Sequence, residues 1–527
     1  MMHQSQFDRC NTSRWSANRF FTNRWTSSQT LCGLALAAFL GLSGNLGAQI
    51  NERDLAPLGL ELMWENSIGG AGLVQGADSL VVWPHSSERR EYVDVFVGNR
   101  LIERIDARRV DRDALEKRIL EGKSTGEVPL LGLEGAKAQA QKLVKTYATI
   151  GKQTTVKTFS QPVTFVVGAA RNGVVTAIDG ETGEMLWQNS VPRGDLPIYG
   201  PGVSDDFVTV VNGNAFYAMD LKTGNMINSG RLAFTPAGAP SSLESRIIVP
   251  STEGRLVGYN VNNPVIAPVV LRAGAENRRG LSISADRDFM AWTSKSALFL
   301  VRNENVPKLW SRVNVEEPMD SKPVATAQGF VFTSMYGSVI HATTARTGSY
   351  LWRVNLAMPT NRTPVVDSKH VFVLSDDGRL VALDLATGVQ IWGSYVGHVD
   401  QILGTGKEHL YVQNDRGSLS RIRIADGQVD ASSTAIVDMV IPNSVTDRLF
   451  VATKDGHISC LREFGALQPT VFNPPKTSQD GSKPSSNAPS NTPSKPAANP
   501  ASNADDIFGA PSSAPKPSGN DDPFGNP

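Results

Sequence analysis

One feature constrains this chain more than any other: a self-similar unit that recurs about every 40 residues. Gly173, Ala177, Asp179, Thr182, Gly183 and Trp187 stand at the same offsets as Gly378, Ala382, Asp384, Thr387, Gly388 and Trp392. Laying the chain on that template puts equivalent hairpin positions at Gly173, Asn214, Gly254, Ser296, Gly337, Gly378, Gly417 and Gly456. Their spacings are 41, 40, 42, 41, 41, 39 and 39 residues. A copy through Ala218, Asp220, Thr223 and Gly224 lacks the Trp, and a weaker ninth candidate precedes the series at 99–106. A fixed period in this range is the mark of stacked supersecondary units, each too small to bury its apolar face alone.

Each unit reads as four short strands. In the unit ending at Trp392 these are 365–366, 371–374, 380–383 and 389–392, separated by Asp-Gly and Thr-Gly turn chemistry. Glycine at the hairpins supplies the positive φ that a tight turn requires. The Asp before Thr-Gly is placed to accept backbone N–H groups across the next turn. The Trp offers a large apolar body to wedge between neighbouring sheets, with its indole N–H at the edge. Four-stranded sheets repeated radially leave only short, protected edges, which is the propeller architecture.

The pattern Gly-x-x-x-Ala-x-Asp-x-x-Thr-Gly-x-x-x-Trp resembles the PQQ-type β-propeller repeat. That family includes quinoprotein dehydrogenases and the lipoprotein subunit of the outer-membrane β-barrel assembly machinery. The resemblance covers roughly residues 56–467 and implies an all-β, eight-bladed propeller of four-stranded blades, with nine units still open. The segment 60–67, carrying Trp64, resembles an outer strand and would close the ring by pairing after Cys460.

Outside the repeats, residues 1–48 read as a secretory signal. Arg9, Arg14, Arg19 and Arg24 precede an apolar run over 31–42, and Gly47 and Ala48 offer a cleavage site. The long basic region also fits an uncleaved anchor. Cys32 has no lipobox-like context, so no lipid anchor is expected. Cys460 is the one cysteine beyond the leader, which leaves no intramolecular disulfide and reads as a buried thiol. Residues 108–150 interrupt the early repeats. Val110, Ala114, Leu115, Ile119 and Leu120 share one helical face, and Ala136, Ala140, Leu143, Val144, Tyr147 and Ile150 share another. Two short helices packed as a flap are predicted. From 468 to 527 the chain is rich in Pro, Ser, Asn and Ala and reads as a disordered tail. Within it an acidic-aromatic motif occurs twice, as Asp505, Asp506, Phe508 and again as Asp521, Asp522, Phe524. Two copies in a flexible arm suit a docking peptide that gains avidity; drift in low-complexity sequence would produce the same pattern.

The chain carries 51 Lys+Arg and 51 Asp+Glu, so no net field steers it toward nucleic acid. Its histidines (3, 85, 341, 370, 398, 409 and 457) show no metal-ligand spacing, and no nucleophile or phosphate-loop motif is present. His341 replaces the repeat alanine on an inner strand; it reads as a satisfied core or rim histidine, with a place facing the central channel and a role as catalytic base as the alternative. The quinoproteins of the resembled family hold PQQ under a vicinal Cys-Cys disulfide beside a carboxylate-bound calcium. This chain has no Cys-Cys pair, and no catalytic, cofactor or metal residue is expected.

A binding surface remains. Loops joining successive units share a face with the middle hairpins, and Tyr199, Arg279, Asp320, Lys322, Arg362 and Asp400 are the candidate rim for a protein partner. The sequence is thus read as a non-catalytic, periplasmic or secreted envelope scaffold with a protein partner. A PQQ-dependent dehydrogenase-type enzyme and a carbohydrate- or surface-binding propeller are the alternatives.

Overall fold

The computed structural model describes residues 52–475, apart from 70–79, 99, 122–127, 193–194, 244, 273, 277, 305–306 and 345–348. The signal read at 1–48 and the tail beyond 475, with both acidic-aromatic motifs, lie outside the described residues.

Among the described residues the strands pair into eight antiparallel sheets, six of four strands, one of five and one of three. Their inner strands begin, in chain order, with Leu80–Val97, Ile198–Val203, Ser241–Leu243, Ser282–Ile283, Val324–Ala325, Val365–Val366, Val399–Thr405 and Met439–Ile441. The apolar residues of one sheet face those of the next, so each consecutive pair shares one buried cluster. Phe165, Val167 and Trp187 of the first sheet meet Val208, Val210 and Met219 of the second. Equivalent clusters continue around the ring. The last joins Phe450, Ile458 and Cys460 of the eighth sheet to Val166 and Ile178 of the first. This closed succession defines a β-propeller.

The ring is sealed by strand exchange between distant parts of the chain. Leu60–Ser67 pairs antiparallel with His457–Glu463, running from Leu60 opposite Glu463 to Ser67 opposite His457. This is the closure that the Trp64 segment predicts. Cys460 is fully buried there, on the third strand from the channel, and burial pushes its thiol up.

The turn chemistry follows the repeat. Asp179 accepts from the backbone of Glu181 and Thr182, and Asp220 and Asp384 do the same for Thr223 and Thr387. Each outer-strand Trp then clasps the following sheet. Trp64 donates to the carbonyl of Gly180, Trp187 to Leu221, Trp352 to Leu385 and Trp392 to Ile424, at 2.7–3.0 Å. The turn glycine beneath the ring has no room for a side chain. A Cβ on Gly388, held at φ 73°, would sit 2.6 Å from Trp352. In the copy without Trp, Asn228 occupies the clasp position and makes the same bond to Val261 at 2.9 Å.

Three expectations are corrected. The ninth unit at 99–106 is no separate sheet: Arg100–Asp106 pairs with the distal half of Leu80–Val97, as an extra edge of the first sheet. The fourth strand expected at 389–392 makes a single bridge, Gln390 to Leu383, and a second bridge follows beyond it, Val396 to Leu380. The chain loops out between them while the Gln390 side chain caps the Trp392 carbonyl at 2.8 Å. In the insertion, helix α1 (Arg112–Leu120) buries no residue, leaving Ile119 and Leu120 exposed. Helix α2 (Gly132–Thr149) packs only through Ala136 and Ala140, with Leu133 and Leu143 beside them, on Val93, Val95 and Ile105.

The insertion springs from a single turn of the first sheet, where two strands simply continue outward. Leu80–Val97 and Thr154–Ala169 pair along most of their lengths. Arg90 anchors this extension, with its guanidinium between Asp106 at 2.6 Å and Asp179 at 2.7 Å.

Candidate functional site

In seven sheets the innermost strand is an edge strand, and in the first it is the half of Leu80–Val97 that Arg100–Asp106 leaves unpaired; the outer backbone groups of these edges face the ring axis. They enclose a central cavity of about 720 Å³. Its wall is apolar, with Val81, Val203, Leu281, Ile283, Val324 and Val365 among its side chains. Pro201, Pro240, Pro323, Pro364 and Pro442 also line it. Proline has no N–H, so it removes donors from an edge that has no partner strand. The sequence carries this signal: Pro240, Pro323, Pro364 and Pro442 each stand 14 residues before a repeat hairpin position.

One mouth of the cavity is the face bearing the loops between sheets. Arg279, Lys322, Arg362 and Asp400 of the predicted rim all line the cavity. Asp320 joins them through Arg279, at 2.9 Å, and Arg362 bonds the Asp400 backbone carbonyl and lies 3.7 Å from its carboxylate. These contacts run from one sheet to the next, so the rim is a chain of paired charges. Middle hairpins share this face, as predicted: Asn361 donates to Asp376 at 3.0 Å, and His398 bonds Asp415 at 2.8 Å. Tyr199 is not brought into this group. It lies half-buried between the second and third sheets, against the cluster of Phe207, Phe216 and Val249.

The opposite mouth is barred by contacts that cross the axis. Ser444, in a turn of the eighth sheet, accepts from the backbone N–H of Val366 in the sixth at 3.1 Å. Residues 470–473, read as the start of the tail, lie along the same turn. Thr470 donates to Asp447 and Phe472 to the Val445 carbonyl, while Asn473 reaches toward Ala325 of the fifth sheet. Arg287 crosses from the fourth sheet to the first, donating to the Pro84 carbonyl at 2.9 Å with its guanidinium 3.6 Å from the Trp83 ring centre. Reasoning from repeats missed Arg287, Trp83, Ser444 and Asn473 because none recurs.

His341 does not reach the channel. Its strand, Ser338–Thr343, is third from the axis, and the ring is buried edge-on against Trp352, with Nε2 bonded to Thr326 at 2.9 Å. Burial pushes it down to about 4, so it is neutral in the fold. Among the described residues no three His, Cys, Asp or Glu side chains converge as a metal site.

The ring of sheets, Asp-x-x-Thr-Gly turns and Trp clasps make this a β-propeller of PQQ-like repeats. A family model described as outer membrane protein assembly factor BamB matches residues 133–274 and 301–463, and the chain belongs to that family. It is 25% identical over 270 residues to BamB of Yersinia pestis, covering 48% of this chain and 60% of that protein. To BamB of Moranella endobia it is 22% identical over 326 residues, covering 56% and 83%. The match therefore spans less than two thirds of the Yersinia relative. A stretch of 117 residues is 31% identical to 1-butanol dehydrogenase (cytochrome c) of Thauera butanivorans, covering 19% of this chain and 17% of that enzyme. The crystal structure of BamB from Moraxella catarrhalis aligns with a TM-score of 0.44 at 15% identity, over 56% of this chain and 93% of that one.

Proposed function

We propose that this chain is a non-catalytic scaffold of the cell envelope, periplasmic or secreted, that docks a protein partner on the face bearing the charged rim and serves outer-membrane assembly. The observation that carries this reading is family membership in a chain whose Arg279, Asp320, Lys322, Arg362 and Asp400 gather at one mouth. Loop tips held by a rigid ring present charge in fixed positions, which favours register and on-rate in protein association. The two motifs at Asp505, Asp506, Phe508 and Asp521, Asp522, Phe524 would add a tethered second contact. No helix among the described residues is long and apolar enough to cross a membrane.

The test uses a photoreactive residue in place of Lys322, or of Leu120 on the helical insertion, in cells that carry this chain. A protein adduct from position 322 alone, with folded outer-membrane barrels lost in an Arg362→Glu, Lys322→Glu double variant, is expected. Equal adducts from both positions, or unchanged barrel levels when the gene is deleted, would overturn it. The short match to a dehydrogenase motivates a control titration with PQQ and calcium. A saturable rise in Tm would move the reading to an enzyme.

A further inference from the structure

The docking reading leaves the barred end of the channel without a role, and a half-buried cation lines the cavity there. Arg287 holds φ 64°, a left-handed backbone that residues other than glycine seldom adopt. Its guanidinium carbon lies 3.6 Å from the Trp83 ring centre and the group gives one hydrogen bond to Pro84, while Nε is buried without a hydrogen-bond partner. The nearby Asp205 is already engaged by the Trp83 indole at 2.8 Å and by Ser86. Burial pushes Arg287 down to about 10, against the fields of Asp205 and Asp286, which favour its charge. A guanidinium with a buried N–H left unbonded is costly unless an acceptor completes it.

We propose that the central channel binds an apolar carboxylate, with the head on Arg287 and the hydrocarbon along the wall above it. The cavity of about 720 Å³ lies within the range of small-molecule sites, and its lining of valines, Leu281, Ile283 and prolines suits a chain without polar groups. Charge balance selects a monoanion. One guanidinium matches one planar carboxylate, and the fields of Asp205 and Asp286, which oppose any anion, oppose a dianion twice as strongly. The prolines disfavour a peptide, because an extended backbone needs donors from the strand edge and these positions have none. Two other edge groups, the Val366 N–H and the Ala325 carbonyl, are taken by Ser444 and Asn473.

Decanoate and decanol, titrated calorimetrically into the purified chain, test this. Saturable one-to-one binding of decanoate is expected, at least tenfold tighter than decanol, with a similar tenfold loss in Arg287→Gln that retains its cooperative melt. Equal affinity for acid and alcohol, or no decanoate binding at millimolar concentration, would overturn the proposal. A second measurement needs no variant: a diazirine-bearing decanoic acid, photolysed on the unaltered protein. Label on peptides containing 281–287 and 323–325 supports the site, and label confined to the helical insertion sinks it. Neither readout depends on the docked partner, so this inference can fail while the scaffold reading stands.

Discussion

The outside of the ring and its centre are built on opposite plans. Outside, one device repeats: an outer-strand Trp donates to the next sheet over a turn glycine, at Trp64, Trp187, Trp352 and Trp392. At the centre nothing repeats except proline. Arg287, Ser444 and Asn473 each cross the axis once and in their own way. The difference separates what holds sheets together from what is free to specialise. A repeated clasp is under the same packing demand in every copy, whereas residues facing the axis answer to no neighbouring copy.

The sharpest way to break that comparison is Trp392→Ala. Removing a buried indole and its bond should cost about 3–5 kcal/mol in denaturant unfolding. A loss near zero would show that the clasp is ornamental. Next comes the site where the repeat departs from itself. His341 is neutral when folded and has a pKa near 6.5 when unfolded, so acid favours the unfolded chain. Stability should be complete above about pH 6.5 and fall by up to about 3 kcal/mol as pH drops toward 4. His341→Asn should flatten that slope, and an unchanged profile would exclude this histidine as its source. Asn228→Ala removes a clasp made of one hydrogen bond and little area, with an expected cost of about 1 kcal/mol. A cost equal to that of Trp392→Ala would mean that the bond, and not the buried ring, does the clasping. Smallest of all, Arg362→Ala at the solvated rim should move stability by no more than about 0.5 kcal/mol while weakening partner docking. A large stability loss there would make the rim structural.

The same division explains what the amino-acid sequence discloses. Gly173 to Trp187 announces its turns, its clasp and its place in a ring because the pattern recurs with the same spacing at Gly378 to Trp392. The closing strand at Trp64 is readable for the same reason. Tyr199 shows where such reasoning stops: it stands in the right stretch of chain for the rim, yet strand alternation turns it into the core between sheets. Arg287 is invisible because its partners, Trp83 and Pro84, lie some 200 residues away in a different repeat and share no motif with it. Helix α1 misleads in the other direction, since periodic apolar residues need a surface to cover and none is provided for Ile119 and Leu120.

The seam between Leu60–Ser67 and His457–Glu463 gives the molecule a sense of completeness. A strand near the start of the ring has to wait, unpaired, until nearly 400 further residues have been delivered, and the wait is entropically slow. A chain halted short of 457 would be left with a bare edge strand, the surface on which proteins misassociate. Both faces of the ring, rim and barred mouth alike, therefore come into being only when the last repeat has arrived. The seam works as an arrival check: an interrupted chain cannot offer a partner a finished surface.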